Sequence, residues 1–154
     1  MDMDPFKLLM EQHRELEALF ETIEQTQDPR GRTEIMERIK QGLAVHMMLE
    51  EEIFYPTVKS LGTMEAEKIV AEAYEEHQVV TLVIAEGPKV DPEDERFDAQ
   101  ITVLRALIEQ HVKEEERNGD GLFELARSLG PAELEAIGDR MAAEVERRQG
   151  RRAA

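Results

Sequence analysis

The 154-residue chain has no cysteine and no tryptophan, and only 5 % of its residues are aromatic. It is also short of positive charge, with 19 Lys and Arg against 35 Asp and Glu and a formal net charge of −16. Each shortage excludes something. Without cysteine there is no disulfide framework, no thiolate metal site and no thiol nucleophile. A surface of this sign repels phosphate backbones and anionic headgroups, so neither nucleic acid nor a membrane is an expected partner. No apolar run approaches the roughly 20 residues that cross a bilayer. Met1-Asp2-Met3-Asp4-Pro5 lacks the basic flank and apolar core of a secretory signal, so a cytoplasmic protein is expected. Strand-like alternation of apolar and polar residues is missing throughout. The one basic cluster, Arg147, Arg148, Arg151 and Arg152, reads as the end of a last helix rather than a nucleic-acid contact.

What remains is rich in Ala, Glu, Lys, Leu, Arg and Met, all good helix formers, at a length suited to one domain over 1–154. Asp4 and Pro5 read as cap and first turn of a helix with Phe6, Leu9, His13, Leu16, Phe20 and Ile23 along one face. Asp28-Pro29-Arg30-Gly31 breaks it. A second stripe runs Ile35, Ile39, Gly42, His46, Glu50, Ile53, with Pro56 expected to kink or end that helix and Gly62 to close the segment. Thr63 caps a third stripe of Ala66, Val70, Ala73, His77, Val80 and Ile84, and Gly87-Pro88 stops it before a loop to Asp94. Phe97, Ile101, Leu104, Ile108, His111 and Glu115 mark a fourth.

The spacing predicts an all-α, antiparallel up-and-down four-helix bundle over about 5–117, with additional short C-terminal helices over about 119–150. That extension begins with a turn at Asn118-Gly119-Asp120-Gly121. A short helix from Leu122 follows, then one starting at Gly130-Pro131 with Leu134, Ile137, Met141 and Val145 inward. One register is awkward. Around the third connection His77 and His111 differ in depth by roughly 10 Å of helix rise, so the 87–94 loop must climb or the fourth helix must start later.

All four histidines fall on these stripes, one per bundle helix, and His46 and His111 each have a glutamate four residues on, Glu50 and Glu115. An i, i+4 pair shares a helix face, so two helices can each aim an imidazole and a carboxylate at one point while two more add imidazoles. A lone histidine on an apolar stripe is usually a hydrogen-bonded core residue. Four imidazoles and two carboxylates in one core without a cation carry a severe desolvation cost. The thiolate-free donor set suits Fe, Mn, Zn or Ni. Ferritin-like sites need Glu-x-x-His, and the residues three before the histidines are Met10, Leu43, Tyr74 and Ile108, so that motif is absent. A calcium loop at 118–121 fails because Leu125 or Arg127 stands where a bidentate glutamate belongs.

His46-x-x-x-Glu50-Glu51 followed by Phe54-Tyr55-Pro56, Glu76-His77, and His111-x-x-x-Glu115-Glu116 resemble the signatures of the hemerythrins and HHE cation-binding domains, over about residues 6–117. The resemblance implies a pair of oxo- or hydroxo-bridged iron ions, with His13, His46, His77 and His111 as terminal ligands and Glu50 and Glu115 bridging. Hemerythrin's own spacing would select Glu116 as the bridge. Oxygen-carrying members have a fifth histidine on the third helix, where this chain has Ala73 and Thr81. Water, Tyr74 and Tyr55 are candidate substitutes, and of the two tyrosines helical periodicity favours Tyr74, one turn before His77. The implied partner is a small oxidant (O₂, H₂O₂ or NO), with sensing or detoxification favoured over oxygen carriage and catalase- or peroxidase-like turnover left open. Iron storage, donation or repair of iron centres is the alternative. An iron- or oxygen-responsive interaction module with a protein partner is another, and a homo-oligomer is open.

Overall fold

Two aspartates begin the fold by capping helices that start on proline. In the computed structural model, which describes residues 4–86 and 90–153, the Asp4 carboxylate accepts from the Phe6 N–H at 2.9 Å and starts α1 (Pro5–Gln25). Asp28 accepts from the Gly31 N–H at 2.9 Å and starts α2 (Pro29–Leu49). The expected break at 28–31 is thus a restart, with Pro29 in a first turn where its missing N–H has no intrahelical partner to lose. Met36, rather than Ile35, is the buried residue of the early second stripe.

Pro56 does not end the second helix. Residues Glu50–Phe54 form one widened π-helical turn, and the helix resumes as α3 (Tyr55–Lys59). Gly62, at φ +71°, makes the turn that follows, in a region open to glycine without a Cβ clash. Thr63 Oγ1 then accepts from the Ala66 N–H at 3.1 Å to open α4 (Met64–Glu86). The stop expected at Gly87-Pro88 lies outside the described residues. Asp94 caps α5 (Glu95–Glu116). Beyond the third connection, Val90 is tucked into the core and Arg32 of α2 reaches across to the Pro92 carbonyl, the Asp98 carboxylate and the face of Phe97.

Helices α1, α2–α3, α4 and α5 form the antiparallel bundle, α1 lying against α2 and α5, and α4 against α3 and α5. The chain then doubles back. A Cβ at Gly121 would lie 2.3 Å from the Arg117 carbonyl oxygen, so that tight return requires glycine. It leads to the short α6 (Leu122–Ala126) and then α7 (Pro131–Ala153), which at 23 residues is as long as a bundle helix. Helix α7 packs on α1, on the end of α2 and on the widened turn, while α6 packs on α4 and α5. Among the described residues no helix is long and apolar enough to cross a membrane.

The apolar side chains form two clusters. One contains Phe6, Leu9, Phe54, Val70, Leu122 and Met141, and the other Phe20, Ile39, Leu43, Phe97, Ile101 and Leu104. His13, His46, Glu50, His77, His111 and Glu115 come from helix positions between those two sets. No strand is present among the described residues.

Candidate metal centre

The side chains that helical periodicity placed inward meet at one point. None of His13, His46, Glu50, His77, His111 and Glu115 is more than 4 % exposed. Glu50 Oε1 lies 3.0 Å from His46 Nε2 and 3.2 Å from both His77 Nε2 and His111 Nε2. Glu115 Oε1 lies 3.1 Å from His13 Nε2 and 3.2 Å from His111 Nε2. All four histidines therefore turn Nε2 toward two carboxylates. Ligating atoms of His46, Glu50, His111 and Glu115 fall within 4.8 Å of one another. The rings form two pairs, His13 with His46 at 4.8 Å and His77 with His111 at 4.9 Å between centroids.

A cation suits this donor set better than protons do. His13 Nε2 and His46 Nε2 are 3.2 Å apart, a contact that needs one to carry a hydrogen and the other to lack it. Glu50 Oε2 is buried with no hydrogen-bond partner at all, and such a group is costly unless something not made of protein meets it.

Behind the imidazoles stands an outer ring of polar groups. His13 Nδ1 donates to Glu116 Oε2 at 2.5 Å, and Arg14 donates to the other oxygen of Glu116. His46 Nδ1 donates to Gln12 Oε1 at 2.8 Å. His77 Nδ1 and His111 Nδ1 lie 3.4 and 3.5 Å from Glu51 and Glu76, near enough for charge interaction but without hydrogen-bond geometry. Such partners fix which nitrogen is free to ligate and raise its basicity. Glu116 therefore sits behind His13 rather than among the converging Nε2 atoms, because one step along α5 turns it about 100° from Glu115. Gln12, Glu51 and Glu76 each adjoin one of the converging residues in sequence, His13, Glu50 and His77 respectively, and nothing in the sequence said which imidazole each would face.

The two tyrosines exchange the roles that periodicity suggested. Tyr55 is fully buried, donates to Glu115 Oε2 at 2.9 Å and lies 3.2 Å from His77 Nε2. Tyr74 instead donates to the Glu51 backbone carbonyl and stands edge-on to the Tyr55 ring. The widened turn at 50–54 is what swings Tyr55 inward. Phe123 was not singled out from sequence; its ring lies parallel to His13, at 6.0 Å and 6°.

Charge in the site has a definite pH signature. Burial disfavours the charged form of His111, but Glu115 and Glu50 outweigh it and hold its pKa well above the ordinary value. His13 is raised in the same way, burial being overcome by Glu115, Glu50 and Glu116. Burial alone would raise Glu50, yet the positive charge of His46 and then His111 brings it well below the usual carboxylate value. Raised histidines stabilise the metal-free fold below their unfolded value of about 6.5, and that contribution is lost as pH climbs through the folded values. The lowered Glu50 contributes above about 4.3 and loses its contribution as pH falls through its folded value. Chelated protein should therefore melt highest in the mildly acidic window between them and lower from about pH 6.5 upward. Metal binding displaces those protons, so metal-induced stabilisation should grow over the same range. Thermal melts from acid to alkaline pH, with chelator and with metal, check both slopes; parallel curves would show that protons and metal do not share this site.

Comparison with known proteins agrees with this geometry. The model of the hemerythrin HHE cation binding domain matches residues 4–118. A DNA nickase of Nostoc sp. is 26 % identical over 115 residues, which is 75 % of this chain and 32 % of that protein. The uncharacterized protein Rv2633c of Mycobacterium tuberculosis is 27 % identical over 108 residues, 70 % of this chain and 63 % of its own length. The chain thus spans about a third of one of these curated relatives and under two thirds of the other. The crystal structure of the Rv2633c homologue from Mycobacterium kansasii, a hemerythrin HHE cation binding domain-containing protein, shares the fold at a TM-score of 0.80, with 23 % identity over 96 % of this chain and 88 % of that one. With the family model covering the whole bundle and a His/Glu cluster fit for a metal at its centre, the chain belongs to the hemerythrin HHE cation-binding family.

Proposed function

We propose that this protein holds two iron ions and uses them to bind or react with a small oxidant, O₂, H₂O₂ or NO, as a sensor or scavenger rather than a carrier. In this reading His13, His46, His77 and His111 are terminal ligands, Glu50 and Glu115 bridge, and the Tyr55 phenol stands where carriers have their fifth histidine. The observation that carries it is the meeting of four imidazole Nε2 atoms on two carboxylates in a buried bundle core. Bound iron would supply one-electron chemistry toward such oxidants.

The residues do the rest. Leu16, Leu43, Val80, Ile108 and Val112 wall a cavity of about 10 Å³ beside the histidines, room for about one water-sized molecule. A space of that scale leaves no room for an organic substrate and suits only a very small molecule. Burial, then Glu115 and Glu50, push the Tyr55 pKa well above its ordinary value, so without a cation its Oη keeps the proton and donates it to Glu115. A cation at the same oxygen would reverse that preference. The depth of the donors favours retained over donated iron, since every proposed ligand is buried. The nickase relative's printed activity is not carried across: the match covers 32 % of that protein, and a charge of −16 opposes DNA.

Elemental analysis of the protein, with spectra before and after peroxide, tests the reading. About two irons per chain, near-ultraviolet oxo-bridge bands and a spectral response to peroxide are expected. Zinc, or no metal after iron reconstitution, would overturn it.

A further inference from the structure

The path of the chain between His46 and Tyr55 assigns a task to Tyr74. In an unbroken α-helix each residue turns about 100°, so a residue nine beyond His46 would face about 180° away, out of the bundle. Tyr55 is that residue, yet it is fully buried with its hydroxyl in the site. The reason is the π-helical turn Glu50–Phe54, where the Tyr55 N–H bonds the Glu50 carbonyl five residues back. One extra residue in the ladder gives Tyr55 the direction its predecessor would have had, about 80° from His46 and close to that of Glu50.

Such a turn is uncommon and poorly hydrogen-bonded, and it needs support. Its next rung would join the Glu51 carbonyl to the N–H of residue 56, but residue 56 is proline and has none. The proline ring also crowds the carbonyl four residues back, which opposes closing the turn to ordinary α geometry. The Glu51 carbonyl thus lacks its backbone donor, and it is here that the Tyr74 hydroxyl arrives from α4, donating at 3.1 Å. The two tyrosine rings stand edge-on, with centroids 5.3 Å apart and 76° between their planes.

We propose that Tyr74 is a positioning residue: by bonding the Glu51 carbonyl that Pro56 cannot serve, it holds the widened turn in the form that delivers the Tyr55 phenol to the metal centre. This rests on the reading of Tyr55 as an iron ligand given above. Tyr74 touches no ligand atom itself; its influence passes through the backbone of 50–55 and the ring of Tyr55.

The test uses the full chain reconstituted with ferric iron, reading iron content and the tyrosinate-to-iron absorption band together. Wild-type protein should show the band and Tyr55→Phe should lack it. Tyr74→Phe keeps Tyr55 but should lose at least half of the band per bound iron, while its circular dichroism and near-ultraviolet oxo-bridge bands stay. Tyr74→p-aminophenylalanine, which returns a donor at similar reach, should restore the band and serves as the readout if the Phe variant folds poorly. A general packing role for Tyr74 would lower the melting temperature and leave the band alone. An unchanged band in Tyr74→Phe therefore overturns the inference, as does failure of the amino variant to restore it. Two irons without any tyrosinate band in the wild type would overturn this inference and leave the di-iron reading standing; absence of iron would remove both.

Discussion

Glu50→Gln is expected to cut metal affinity on the order of 100-fold or more. Removing mere outer partners of metal ligands costs about 10–100-fold, and Glu50 is central. Its Oε1 is within 3.2 Å of three imidazole nitrogens from three helices, its Oε2 has no protein partner, and the residue is fully buried. The amide keeps the shape but removes the charge and one anionic oxygen that a bridge between two cations needs. Wild-type protein at a free metal concentration 100 times Kd should gain about 2.7 kcal/mol per site. At about 2–4 °C per kcal/mol for a chain of this size, that is a rise in Tm of about 5–10 °C. In Glu50→Gln at the same metal concentration nearly all of that rise should vanish. The chelated variant carries its own control. At alkaline pH, with the histidines neutral, it sheds a lone buried carboxylate and should melt no lower than wild type. In mild acid it has lost the partner of His46 and His111 and should melt lower. If Glu50→Gln keeps its metal and its full rise in Tm, Glu50 does not bridge.

Phe123→Ala should be the most damaging single change to the fold. The ring is buried against Phe6 at 5.5 Å and Phe54 at 5.7 Å, besides lying parallel to His13. Truncating a buried phenylalanine costs about 3–5 kcal/mol, part of it from the cavity left behind. That corresponds to a fall in Tm of about 6–20 °C. The denaturant midpoint should drop with little change in slope if the whole bundle still unfolds as one. Because the ring also backs His13, metal affinity should weaken even where the variant remains folded. Phe123→Leu, which refills most of the space, should recover much of both. A loss below about 1 kcal/mol would mean that α6 is only loosely attached and contributes little to the core.

What could be read from the residues, and what could not, divides along a physical line. Local periodicity carries the inward faces, so the convergence of His13, His46, His77 and His111, with Glu50 and Glu115 one turn on, was legible before any coordinates. Caps were legible for the same reason: Asp4 and Thr63 act on backbone groups two or three residues away. Which of Tyr55 and Tyr74 enters the core was not, because a single inserted residue in the ladder turns everything after it by about 100°, and Pro56 signals disruption without saying of which kind. Glu116 entered only as an alternative bridge, because its position on α5 does not say that so long a side chain reaches the far nitrogen of His13 on the neighbouring helix. Phe123 follows a legible turn, yet where the chain lands after Gly121 depends on the shape of the bundle's end, which no short window contains.

The placement of the polar layer has a consequence for how the molecule opens. Its aliphatic and aromatic packing is divided into two blocks, with α6 and α7 packed mainly on the block around Phe54 and Phe123. In metal-free protein the blocks are joined by continuous helices and by a seam of histidines and carboxylates whose pairing shifts with proton supply. The Phe97 block is bordered by α7 only along Leu16 and Leu19. A cation held by residues from α1, α2, α4 and α5 together would act as a rivet through the middle of the stack. Its binding energy would be felt as cooperativity between two halves that could otherwise breathe separately.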